Sequence, residues 1–113
     1  MTKQELIELL KSEMPDAKEG AVPPNLKPPY LAFWEIDWDY QTASDEVNTD
    51  VVTYQISFFA DKPRHPQLMS ILLKFRELSI RPNVKHEYVD DLKCVHSAFT
   101  IEVLEDLFDG IET

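Results

Sequence analysis

The sequence predicts an α+β fold in which an antiparallel sheet of about four strands carries two helices on one face, in the order α-β-β-α-β-β. Three observations lead there. Residues 51–60 alternate, with Val52, Tyr54, Ile56 and Phe58 on one side and Val51, Thr53, Gln55 and Ser57 on the other, the two-residue period of a half-buried strand. After a Pro-punctuated break the period changes: Leu68, Ile71, Leu72 and Phe75 fall at i, i+3, i+4 and i+7, the spacing of a helix with one apolar face. An apolar share of 43% over 113 residues is enough for one core without metal or disulfide staples, so the chain is read as a single domain, 1–113.

Each element has its own signal. Thr2 and Glu5 form a T-x-x-E capping box ahead of Leu6, Ile7, Leu9, Leu10 and Met14, which predicts a helix over 2–13 stopped by Pro15. Residues 15–29, "PDAKEGAVPPNLKPP", carry five prolines and read as a connector, because proline fixes φ and lacks a ladder donor. In "YLAFWEIDWDY" the residues Tyr30, Ala32, Trp34, Ile36, Trp38 and Tyr40 alternate with Glu35, Asp37 and Asp39, which predicts a strand with an aromatic core face and an acidic outer face. Residues 41–50, "QTASDEVNTD", form an acidic hairpin tip, and 51–60 return. The second helix is expected over 66–80, with Pro66 at its first position, His65 as N-cap and Leu78 on its sheet-facing arc. Two further strands, "NVKHEYV" and "LKCVHSAFTIEVL", turn at Asp90 and Asp91. The expected core holds Val52, Tyr54, Ile56, Phe58, Leu68, Leu72, Phe75, Phe99, Ile101 and Val103.

Composition narrows the function classes. The net charge is −10, and residues 28–61 contain seven acids and no Lys or Arg, whereas 62–93 carry seven bases against four acids. That balance argues against binding a nucleic-acid backbone, which needs clustered cations, and permits a basic partner or another copy meeting head to tail. Cys94 is the sole cysteine, so no intrachain disulfide forms, which suits a reducing compartment. No signal peptide or membrane span is legible, and a soluble intracellular protein is expected. With only Gly20 and Gly110, no glycine-rich phosphate loop exists.

Few residues suggest chemistry. Cys94 and His96 share a strand face, with His86 on the strand before, but a lone cysteine without ligand spacing reads as a packing residue. Glu35, Asp37 and Asp39, at i, i+2 and i+4, could bind a divalent cation or act as acid and base. A strand's polar face is their plainer account. No catalytic residue, cofactor or metal is therefore expected. The second helix is less ordinary: Met69, Leu73 and Ile80 make a separate apolar strip, flanked by Arg76 and about 120° from the core stripe at ~3.6 residues per turn. A surface helix needs only one stripe, so the strip is covered by a loop of the same chain or by another chain.

The run "VVTYQISFFADKPRHPQLMSILLKFREL" resembles the central signature of the tail-completion, or tail-terminator, proteins of long-tailed phages and prophages. Gln55, Phe58, Phe59, Asp61, Leu68, Leu72 and Phe75 carry the match. "PYLAFWEIDWDY" resembles that family's entry to its first strand and "AFTIEVLED" its closing strand, whereas the Pro-rich connector and the long acidic tip have no counterpart there. The resemblance implies a non-enzymatic structural protein. It would form a ring, usually hexameric, at the head-proximal end of the tail tube, with itself, tail-tube proteins and head-connector proteins as partners. The implied location is the host cytoplasm during assembly and then the virion tail.

A head-to-tail ring needs two different complementary patches. The expected pair is Met69, Leu73, Arg76 and Ile80 on the helix, facing Asp45, Glu46 and Asp50 at the acidic tip. Glu35, Asp37 and Asp39 would then line the central channel. The rival readings are an acidic binding module or DNA mimic acting on a basic partner, and a small carboxylate-dependent hydrolase.

Overall fold

The computed structural model describes residues 1–21, 27–40 and 50–108. Helix α1 (Lys3–Glu13) opens on the capping box, with the Glu5 N–H donating to Thr2 Oγ1 at 3.2 Å and the Thr2 N–H to Glu5 Oε1 at 3.0 Å. The Thr2 N–H first, and then the Thr2 hydroxyl, hold the Glu5 carboxyl below its ordinary pKa. Strand β1 (Lys18–Glu19) is followed by β2 (Tyr30–Tyr40), β3 (Asp50–Ala60), α2 (Pro66–Glu77), β4 (Lys85–Val89) and β5 (Cys94–Glu105). The α+β class and the order of the long elements are as the sequence predicts.

The sheet has five strands in the order β1-β2-β3-β5-β4. Its long strands are antiparallel, and β1 adds a short parallel edge by pairing Lys18 with Ala32 and Glu19 with Phe33. The antiparallel sheet of about four strands that the sequence predicts is present, and β1 is an addition to it. Two residues of the Pro-rich connector, free of proline at that place, pair with β2, and Gly20 ends the pairing at φ +98° while its N–H donates to the Phe33 carbonyl.

Both helices lie on one face of the sheet. Leu6 and Leu10 of α1 and Leu68, Ile71 and Phe75 of α2 bury against Phe33, Tyr54, Ile56, Phe58, Phe99, Ile101 and Val103. Of the expected core, only Leu72 sits at the margin, half-buried. Lys74 fastens the helices together from outside: its ammonium lies 3.1 Å from a Glu13 carboxylate oxygen and donates to Ser12 Oγ at 2.6 Å.

Helix α2 ends three residues earlier than the pattern suggests, through a Schellman turn. The Ile80 N–H donates to the Phe75 carbonyl and the Ser79 N–H to that of Arg76, with Ser79 left-handed at φ +63°. Leu78, expected on the sheet-facing arc, is consequently exposed, and Ile80 folds back onto the core.

Candidate assembly interface

Strand β2 decides where the carboxylates go. Its register against β3 runs from Tyr30 opposite Phe59 to Glu35 opposite Tyr54, then resumes with Asp37 opposite Thr53 and Trp38 opposite Val52. Ile36 is the extra residue of a β-bulge, and one extra residue reverses which side chains face the helices. Before the bulge Leu31, Phe33 and Glu35 share the face of Tyr54 and Ile56. Beyond it Trp38 takes that face, whereas Asp37 and Asp39 point to the helix-free side. Two expectations are corrected by this. Glu35, Asp37 and Asp39 do not share a face, and Tyr30, Ala32, Trp34, Ile36, Trp38 and Tyr40 do not form one continuous core face.

Glu35 is occupied. It accepts from Trp38 Nε1 at 2.8 Å and lies 3.3 Å from the Tyr54 hydroxyl, which stands equally far from a Glu105 oxygen. Burial, then the negative charges of Glu105 and Glu35, raise the Tyr54 pKa far above its usual value, so the phenol stays a donor at any physiological pH. No cluster of three or more His, Cys, Asp or Glu placed to hold a metal ion occurs among the described residues.

The helix-free face carries a ladder that the sequence gives no hint of. Tyr30, Phe59 and His96, on three neighbouring strands, stack with ring centroids 4.6 and 4.4 Å apart. His96 Nε2 lies 2.7 Å from Ser57 Oγ, which also accepts from Gln55 Nε2 at 3.2 Å. Burial lowers the His96 pKa against the pull of Glu87 on the adjacent strand. His86 lies on the opposite face and bonds Ser97 Oγ at 2.7 Å, and burial raises the Cys94 thiol pKa, away from a reactive thiolate. The imagined Cys94, His96 and His86 group is thereby dispersed. Only the pairing register, which brings Ser57 and Phe59 beside strand β5, could have revealed the ladder.

The second strip of α2 is in place in part. Met69 and Leu73 keep 48% and 56% exposure, and Arg76 beside them is exposed. Ile80 does not continue the strip, because the Schellman turn carries it off the helix. The connector's described ends pack near the start of α2, around Gln67, and Leu107 joins the core, so neither covers Met69 or Leu73 among the described residues. Asp45 and Glu46 lie outside the described residues. Asp50 is the first residue of β3 rather than part of the tip, half-buried, and accepts from the Leu107 N–H at 3.4 Å.

No protein-family model matches the chain, and no curated protein matches it. Among solved structures the chain is similar to one from the "virion of native gene transfer agent (GTA) particle". The TM-score is 0.48 at 16% identity, over 84% of this chain and 82% of that one. A likeness of that size does not assign a function. No described helix is long and apolar enough to cross a membrane.

Proposed function

We propose that this chain is a non-enzymatic structural subunit of a phage-like virion. It forms a ring at the head-proximal end of the tail tube, as a tail terminator or head–tail joining component. The observation that carries the reading is the exposed Met69–Leu73 strip on a helix whose opposite stripe already supplies the core. The sequence resemblance supports the same role. Surface apolar side chains at helical spacing have no use in the core and are suited to a partner.

In this reading Met69, Leu73 and Arg76 meet the acidic tip of the next copy, Asp45 and Glu46, with Asp50 and Ile80 supporting the two patches from within the fold. Asp37 and Asp39 lie on the helix-free face and in this reading that face lines the channel, where like charge opposes phosphate adsorption to the wall. Glu35 is withdrawn from that role by Trp38 and Tyr54. Native mass spectrometry of the purified protein, alone and with tail-tube subunits, tests the reading. It requires a closed oligomer in at least one of the two conditions, and a monomer in both at high concentration contradicts it.

A further inference from the structure

The sheet ends on two open edges of opposite character. β4 has β5 as its only sheet neighbour, so its outer edge has no strand beside it among the described residues. At the other end β1 covers β2 only at Ala32 and Phe33, which leaves the backbone edge of residues 36–40 without a neighbouring strand among the described residues. We infer that these two edges pair between copies, with β4 of one subunit adding to residues 36–40 of β2 in the next, so that the sheet continues around the proposed ring. The inference rests on the ring reading and adds the mode of contact.

Four features fit. First, β3 is antiparallel to β2, β5 to β3 and β4 to β5, so β4 runs opposite to β2. A neighbour related by rotation about an axis running along the strands therefore meets it antiparallel, the geometry in which short strands pair directly. Second, β4 has five residues, the length of the open stretch 36–40. Third, the charges are complementary. Asp37 lies in a 28–61 stretch with no Lys or Arg, and Lys85 opens β4. Register places both on the helix-free face, Asp37 through Thr53 and Lys85 through Ala98. Glu87, the acid within β4, stands beside His96. Fourth, each edge holds an exposed aromatic on the helix-bearing face, Trp38 at 64% and Tyr88 at 61%.

The same features oppose the symmetric alternative. Two β2 edges meeting would set Asp37 and Asp39 against their own copies, and like charges across strands are destabilising. The bulge at Ile36 and the charges act against indiscriminate edge pairing, as open edges require, while leaving the unlike pair permitted.

Cross-linking decides the matter under whichever condition gives the oligomer. Trp38→Cys and Tyr88→Cys are purified separately, mixed, and treated with a short bis-maleimide, with the wild type as control for the buried Cys94. Covalent dimers are expected in the mixture and absent from either variant alone, and the double variant should give a ladder ending at the ring number. An oligomer that forms without the mixed cross-link, or with self-links in a single variant, overturns edge pairing and leaves the ring reading intact. A monomer throughout overturns both. Hydrogen exchange on the unmodified chain covers the case in which a substitution itself blocks assembly. Amides within β4 and residues 36–40 should slow by about tenfold or more on oligomerisation, and unchanged rates there overturn the inference.

Discussion

Helices α1 and α2 are nearly the same length, lie on the same face of the same sheet and bury comparable inner stripes, yet their outer sides differ. The outward residues of α1 are Gln4, Glu5, Glu8, Lys11 and Ser12, with a Gln4–Glu8 hydrogen bond of 3.0 Å along the helix. At corresponding depth α2 exposes Met69 and Leu73. The core therefore cannot explain the apolar residues of α2, since α1 does the same packing with a polar exterior. On that difference rests the proposal that α2, and not α1, meets a partner.

The largest effects should fall on the stripes the helices have in common. Leu10→Ala in α1 and Leu68→Ala in α2, both fully buried, should each cost about 2–5 kcal/mol in denaturant unfolding, the range for lost transfer plus a residual cavity. A much smaller loss at either one would mean that the two inner faces are not equivalent. Loss of the cap on α1 comes next. Thr2→Ala, which removes the hydroxyl that accepts from the Glu5 N–H, should cost ~1 kcal/mol in denaturant unfolding. The folded Glu5 carboxyl is held below its ordinary pKa chiefly by the Thr2 N–H, so its own contribution should be present at neutral pH and fade as acid titrates the folded group. At the C-terminal end of α2, Ser79→Gly should stabilise by roughly 0.5–1 kcal/mol, since glycine takes a left-handed φ without the side-chain penalty. Smallest of all, Leu73→Ser should leave unfolding of the isolated subunit within about 0.5 kcal/mol, as expected for an exposed site.

The ladder on the helix-free face gives an independent check on placement by pH. His96 is held neutral, with its folded pKa below the unfolded value near ~6.5. Above that value it contributes no pH dependence. As pH falls through it, the unfolded chain takes a proton that the folded chain refuses, and stability drops until the folded pKa is passed. His96→Gln should flatten that part of the stability profile even if the variant is less stable throughout.

Much of this architecture is legible in the sequence because local signals and packing agree. The T-x-x-E box, Pro66 and the alternation of Val52, Tyr54, Ile56 and Phe58 each specify an element without help from distant residues. What escapes is nonlocal. In β2 apolar residues occupy every even position from 30 to 40, so the pattern looks unbroken across Ile36. The bulge that reverses it is set by pairing with β3, with Leu31 and Phe33 supplying the core side. β1 is too short to have a period, and Ile80 is removed from the α2 strip by a turn whose left-handed residue is a serine rather than the usual glycine. The exposure of Met69 and Leu73 is therefore legible in the sequence, whereas the positions of Ile80 against the core and of Asp50 in β3 are not.

Light scattering on matched substitutions separates the outer side of α2 from that of α1. Leu73→Glu on the outer side of α2 and Lys11→Glu on that of α1 would each be measured with wild type, under the conditions in which wild type assembles. Leu73→Glu should be monomeric at low and high salt alike, because the lost contact is apolar, while Lys11→Glu should assemble as wild type does. Full assembly of a well-folded Leu73→Glu variant would contradict the proposal that α2 meets a partner.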